Sequence, residues 1–319
     1  MTARNQGPNG PAGLLLVDKP EKLTSHDVVD EARRLLDTRR IGHTGTLDPA
    51  ATGLLVLCVG RAVRIQSFLT GFDKSYEGEM LFGVETDTYD RDGTPVGPPH
   101  PDPAPDPDRL REVAARYTGD LMQAPPPFSA KKFAGRKFYD MARRGEPVPH
   151  APKYVRISAL EITDLQGDRA SFRVSCSSGT YIRSLVHDIG KEIGPGAHLL
   201  ALRRTAVGPF RLENAATLAA LDAIPALERT RPPHWLPLAN VPLPFPSIPL
   251  AAAEAAKVRH GHGVPVRVPS GTAASGWVRL EAAGDLLALA ELEPLGRGAV
   301  ALARPKIVLQ DEGIGRKSV

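Results

Sequence analysis

Apolar residues run almost unbroken through GLLLV at positions 13–17 and stop at the Lys19-Pro20 dipeptide, which predicts a short strand over residues 13–19. In TSHDVVDEARRLLDTRR the period changes. Val28, Val29, Ala32, Leu35 and Leu36 recur at helical spacing behind a Ser/Thr/Asp cap cluster, so one helix is expected there. The next run, GLLVLCVG after Thr52, has no period at all. Its small and β-branched residues suit a buried strand or a short buried helix equally. Residues 76–82, 154–164 and 170–175 alternate or run apolar with strand formers, whereas 109–117 and 181–193 carry helical spacing. The mixture predicts an α+β fold with a mixed, largely antiparallel sheet.

Proline and glycine punctuate these elements. VGPPHPDPAPDPD at 96–108 has no means of forming a core element and is expected as a surface loop. A second break at 229–249, rich in proline, reads as a linker. Beyond it come a helix and turn in AAAEAAKVRHGHGVPV and strands in GWVRLEA, LLALAELEP and AVALARPKIVL, which together suggest a small barrel. A chain of 319 residues accommodates two such domains. The first dozen residues, rich in Gly, Pro and Asn, read as a loose tail. The following LLLV is too short for a signal-peptide core or a membrane span.

Composition narrows the picture only slightly. Apolar residues at 42% and charged residues at 24% describe an ordinary globular chain. A net charge of +4 and a pI near 9.1 fit a polyanionic partner and fit plain solubility as well. Two cysteines, Cys58 and Cys176, exclude a disulfide framework and a cysteine-based zinc site, and point to a reducing, cytoplasmic setting.

Three places carry candidate chemistry. In GHTGTLDPAATGLL, Pro49 biases Asp48 to an extended backbone and Gly42 and Gly45 permit close approach of a ligand, so the carboxylate is either a presented functional group or an Asp-Pro turn initiator. His43 beside it is a candidate base or a hydrogen-bonded structural residue. No metal-ligand spacing surrounds His43, His26 or His187. FSAKKFAGRKFYDMARR, residues 128–144, interleaves Lys131, Lys132, Arg136 and Lys137 with aromatics. That is an RNA-binding pattern, or a basic helix face over a core stripe. In CSSGTYIRSLVHDIG a turn feeding a helix would put Tyr181 and Arg183 near its N-terminus, where an anion is favoured.

Together with DKSYEG around Tyr76, FGVETDTYDRDG at 82–93 and SSGTYIRSLVHDIG from Ser177, the Asp48 stretch resembles the TruB family of tRNA pseudouridine synthases over roughly residues 13–205. The last sixty-odd residues resemble the PUA domain that accompanies that family. The resemblance implies isomerisation of uridine 55 in the tRNA T loop to pseudouridine, with no cofactor and no metal. It implies Asp48 as the catalytic nucleophile, Tyr76 stacked on the target base and Arg183 paired with the aspartate. His43 would enter the T loop, Tyr181 and Leu202 would line the pocket, and Lys19 with Pro20 would lie near the site. It also implies a catalytic domain at 13–245 with an RNA-clamping insertion at about 123–153, a PUA-like domain at 246–312, and tails at 1–12 and 313–319. Lys131, Lys132, Arg136 and Lys137 would then contact RNA. A monomer without an obligate protein partner, binding the T arm and the acceptor end of tRNA, is expected. The chain departs from the family pattern at Lys22, where glycine is usual, and at Val56, Phe128 and Lys306. Two other readings are a tRNA-folding chaperone with incidental catalysis, and a guide-RNA-dependent synthase.

Overall fold

The computed structural model describes residues 12–128, 132–133, 136–137, 151–225, 232–269, 273, 275–295 and 299–309. The elements follow the patterning closely. β1 (Gly13–Lys19) leads to α1 (Ser25–Leu35), whose start is fixed by a capping box: Thr24 accepts from the Asp27 N–H, and the Asp27 carboxylate accepts from the Thr24 N–H. Such a cap stabilises the first turn by about 1 kcal/mol. Then come β2 (Ile41–His43), β3 (Thr52–Val59), α2 (Gln66–Thr70), β4 (Lys74–Phe82), α3 (Pro107–Arg116) and β5 (Gly119–Gln123). The two-residue strands β6 (Lys132–Phe133) and β7 (Arg136–Lys137) pair with each other. β8 (Lys153–Gln166), β9 (Arg169–Cys176), α4 (Ile182–Ile193), β10 (Ala197–Val207), β11 (Phe210–Arg211), β12 (Ala216–Thr217), α5 (Leu218–Asp222) and β13 (Trp235–Pro237) complete the larger part. The remaining elements are β14 (Ser247–Pro249), α6 (Ala252–Arg259), β15 (Val264–Arg267), β16 (Gly276–Ala282), β17 (Asp285–Pro294) and β18 (Val300–Val308).

Eleven strands form the main sheet, with the path β12-β1-β3-β10-β4-β9-β8-β5 and with β11, β13 and β2 attached to β10, β1 and β3. The β1–β12 and β3–β10 pairs are parallel and the others antiparallel, as the alternating segments suggested. The aperiodic run after Thr52 is a strand, and its burial explains the missing period. Leu15, Val17, Leu55, Leu57 and Val59 face α1 through Val28, Val29, Ala32 and Leu35. On the opposite face Leu14, Leu16, Leu54, Val56 and Cys58 pack against Leu286 and Leu289 of the second sheet and Leu309 just after its strand β18. A strand covered on both faces has no polar side to show.

The second sheet has the order β14-β16-β17-β18-β15 and its own core of Val258, Val264, Leu280, Leu287 and Ala303. The proline-rich stretch expected as a linker is not a free tether in its described residues. Trp235–Pro237 adds to β1, Ser247–Pro249 adds to β16, and Val241 and Leu243 between them are buried. Phe245 sits edge-on to Phe68 of the main domain and beside Trp277 of the second sheet. Proline suits such three-residue edge pairings, and the apolar residues spaced between the prolines have to be covered. The 96–108 segment forms no core element, although its last residues begin α3: Asp106 caps the helix and Pro107 opens it.

Candidate functional site

Asp48 lies in the loop between β2 and β3. Few ladder hydrogen bonds are available there, so side chains from distant segments satisfy the loop backbone. Ser25, at the start of α1, exchanges hydrogen bonds with the N–H and the carbonyl of Leu47 (2.8 and 3.1 Å). Arg204, on β10 and nearly inaccessible, donates from Nε to the Leu54 carbonyl at 2.7 Å and from Nη2 to the Gly45 carbonyl at 3.0 Å. Its Nη1 reaches the Thr46 carbonyl at 3.4 Å. Lys19 is 0% exposed, and its ammonium donates to the carbonyls of Pro20, Leu23 and Pro49. Burial pushes that ammonium down to about 8. The glycine this architecture requires is Gly53, at φ +98°, where a Cβ would lie 2.3 Å from the Arg204 carbonyl oxygen.

The carboxylate itself points the other way. Asp48 Oδ2 is ion-paired with Arg183 Nε at 3.0 Å, and its side chain is 44% exposed, whereas that of Arg183 is 8% exposed. Arg183 is the second residue of α4, as the Gly-Thr-Tyr turn predicted, and Tyr181 is the helix N-cap. The guanidinium has three further partners: Asp90 Oδ2 at 3.3 Å, the Thr88 carbonyl at 2.9 Å and the Phe128 carbonyl at 3.0 Å. Asp90, 14% exposed, is held in turn by the Thr88 hydroxyl at 2.6 Å and the Asp92 N–H at 3.1 Å. Burial raises the Asp90 carboxyl above its usual range, while Thr88 and Arg183 pull it down. Tyr89 between them has φ 63° and stacks on His187, with ring centroids 3.7 Å apart, one helical turn beyond Arg183. One face of α4 therefore holds residues 88–90 of the loop.

Tyr76 is buried on β4 directly opposite Arg204 of β10. Burial raises its hydroxyl pKa, the Arg204 guanidinium opposes that, and the nearby Asp48 charge adds to it. Leu202, two residues before Arg204, is half-buried against the same core. His43 closes β2, and its Nδ1 accepts from the Gly45 N–H at 3.3 Å. Burial and Arg204 lower its pKa from 6.5, so it is neutral near pH 7. Gln123, at the end of β5, exchanges hydrogen bonds with the Tyr181 backbone (2.8 and 3.0 Å), and Ser184 donates to the Ala124 carbonyl at 2.9 Å. The chain leaving β5 is thus fastened to the beginning of α4.

The structure brings Asp48, Tyr76 and Arg183 together, with His43 and Lys19 against the same loop. Lys19 is occupied by carbonyls. Backbone pairing sets Lys132 opposite Lys137 and Phe133 opposite Arg136. Lys131 and the side chains of Lys132, Arg136 and Lys137 lie outside the described residues. Reading the sequence missed Asp90, Arg204 and Gln123. Asp90 lay within the recognised FGVETDTYDRDG stretch, but nothing singled it out from the other two aspartates there.

The description "TruB family pseudouridylate synthase (N terminal domain)" matches residues 33–182, and "tRNA pseudouridylate synthase B C-terminal domain" matches 183–242. The Asp48–Arg183 pair therefore joins residues from both matched segments. The chain is 43% identical over 279 residues to tRNA pseudouridine synthase B of Dechloromonas aromatica, covering 88% of this chain and 91% of that protein. It is 39% identical over 281 residues to tRNA pseudouridine synthase B of Solibacter usitatus, with 88% and 95% coverage. Among solved structures it resembles a Cbf5-Nop10-Gar1 complex chain with TM-score 0.69, 25% identity and coverage of 94% of this chain and 85% of that one. The archaeal box H/ACA sRNP Nop10-Cbf5 complex gives TM-score 0.68, also at 25% identity, with coverage of 94% and 86%.

Proposed function

The chain belongs to the TruB family of pseudouridylate synthases, and on that premise we propose that it isomerises uridine 55 in the T loop of tRNA to pseudouridine, with Asp48 as the nucleophile. As a tRNA pseudouridine synthase it exchanges a carbon–nitrogen glycosidic bond for a carbon–carbon one. The reaction needs a group that bonds transiently to the nucleoside and then leaves, and a carboxylate does both.

The observation that carries this reading is the asymmetric grip on Asp48. The buried Arg183 is ion-paired with Oδ2, while the Asp48 side chain is half-exposed and among the described residues no hydrogen bond engages its Oδ1. The arginine supplies the carboxylate's counter-charge and orients it, and the second oxygen stays open to the nucleoside. Asp90, Thr88 and Phe128 fix the arginine in place, so Arg183 acts as a rigid support. A uridine inside a folded T loop has to be turned out of its stack, at a cost of a few kcal/mol that stacking on Tyr76 offsets. His43, uncharged, is suited to stand among bases. Leu202 and Tyr181 line the pocket.

A tRNA-folding chaperone would need the basic surface but not the Asp48–Arg183 pair. The likeness to box H/ACA complex chains is weaker than the 39–43% identity to proteins named tRNA pseudouridine synthase B, which favours action on tRNA without a guide. In this reading residues 13–245 form the catalytic domain with a clamp at about 123–153. Residues 246–312, including the five-stranded sheet, form a PUA-like module that contacts the acceptor end, and residues 1–12 and 313–319 are tails. Lys131, Lys132, Arg136 and Lys137 contribute phosphate contacts. The enzyme works as a cytoplasmic monomer without cofactor or obligate protein partner. Asp48→Asn is expected to abolish pseudouridine formation in a T-arm stem-loop, by roughly 10⁴-fold or more, while RNA binding stays within a few fold. An active Asp48→Asn protein would overturn the assignment.

A further inference from the structure

A lysine seldom holds a left-handed backbone, because its Cβ crowds the following carbonyl oxygen. Lys22 holds one, at φ 72°, in the turn between β1 and α1. The turn's structural contribution comes from the main chain. The Lys22 N–H donates to the Pro49 carbonyl at 2.9 Å, one residue beyond Asp48, and the Lys19 ammonium donates to the same oxygen at 3.3 Å. Any residue makes that N–H bond, and glycine makes it without the crowding. The lysine side chain is thus kept against the preference of its own backbone, and strain of this kind points to a function. Its function is not an internal ion pair. Lys22 is exposed, the adjacent Glu21 pairs with Arg91, and among the described residues no carboxylate pairs with Lys22.

The charges around the Asp48 turn show what the side chain is for. Arg183 is buried behind the carboxylate, and Lys19 and Arg204 are buried with their donors on carbonyls. His43 is neutral near pH 7. A phosphodiester chain delivering a nucleotide to the half-exposed Asp48 is repelled by that carboxylate, and the buried cations are not accessible to it. Lys22, exposed and fixed through its backbone to the residue after Asp48, is a cation placed to offset the repulsion. We infer that the Lys22 ammonium contacts the RNA phosphodiester next to the nucleotide presented to Asp48, a substrate-binding role that rests on the tRNA reading above.

The test uses the full chain and a T-arm stem-loop transcript. Binding is followed by fluorescence anisotropy across a salt titration, beside melting curves and saturating-substrate turnover. Lys22→Gln is expected to weaken binding about 3- to 10-fold near 0.1 M salt and to lower the log–log salt slope by about one. Its melting midpoint and saturating rate stay as in the wild type. Lys22→Arg retains both affinity and slope. Lys22→Gly shows the same binding loss while melting no lower than the wild type, because the left-handed crowding is gone. A wild-type slope in Lys22→Gln, or a Lys22→Arg protein as impaired as Lys22→Gln, overturns the inference, as does a Lys22→Gly protein that melts well below the wild type. The slope comparison needs no turnover. A wild-type protein that binds the transcript but forms no pseudouridine brings down the enzymatic reading, while the Lys22 contact is judged separately.

Discussion

Buried cations hold the Asp48 turn from two sides, and their partners differ in kind. On the α4 side Arg183 faces two carboxylates, Asp48 and Asp90, and two carbonyls. On the β1 and β10 side Lys19 and Arg204 face carbonyls of the loop and its surroundings, six between them. A cation among carbonyls stands in for backbone hydrogen bonds that an irregular loop cannot make for itself. A cation between carboxylates supplies their counter-charge and fixes their direction. The first arrangement builds the turn and the second prepares its chemistry. The two should therefore fail differently when broken.

The largest effect belongs to the chemical side. Arg183→Met leaves Asp48 without its counter-ion, and kcat is expected to fall roughly 10³-fold, measured as single-turnover pseudouridine formation. Asp90, deprived of its partner as well, adds a destabilisation of about 1–3 kcal/mol that protonation of this carboxylate limits. Arg183→Lys keeps the charge but cannot reach four partners at once, so its recovery should be partial. Full activity in Arg183→Met would erase the distinction between the two sides.

On the structural side the order of symptoms reverses. Arg204→Met strips three loop carbonyls of a donor in a nearly inaccessible place, and about 3 kcal/mol of stability should be lost. That corresponds to a melting midpoint lower by roughly 6–12 °C. At a temperature where the variant is still folded, its turnover should exceed that of Arg183→Met. If Arg204→Met melted normally but was as inactive as Arg183→Met, Arg204 would belong with the chemistry. Its position opposite Tyr76 is what gives that outcome a physical route.

These two sides were unequally legible in the sequence. Arg183 could be placed because a turn and a helical period fixed it near a helix start. Arg204 could not, since it follows Arg203 in an apolar strand and alternation alone does not say which of the pair points inward. The structure turns Arg203 outward to Asp18 at 2.7 Å and Arg204 inward to the loop. β1 and β3 were readable as buried segments, but whether β3 was strand or helix depended on a second sheet whose contact residues lie more than 200 positions away. The same long-range packing undid the linker reading, because proline content reports local stiffness and not what the intervening Trp235, Val241 and Leu243 find to cover them.

A third carboxylate gives the mildest test of the same comparison. Asp188 lies on α4 five residues beyond Arg183, within the field of the Lys191 charge but in no ion pair among the described residues, and burial raises it to about 6. It shows what the α4 environment does to an acid when no guanidinium is placed against it. The folded state then holds its proton more tightly than the unfolded chain, whose value is 3.8. Between about pH 4 and pH 6 the folded protein binds more protons, so this group's contribution to stability falls as pH rises through that window and stays low above it. Asp188→Asn cannot ionise and should escape the loss. Its melting curve should match the wild type near pH 4 and exceed it above pH 6 by about 1 kcal/mol, a few degrees at most, after discounting for partial solvent contact. An Asp188→Asn protein less stable than the wild type at pH 7 would mean that the ionised carboxylate has a favourable partner after all, and burial would then not distinguish the unpaired acid of α4 from the paired ones.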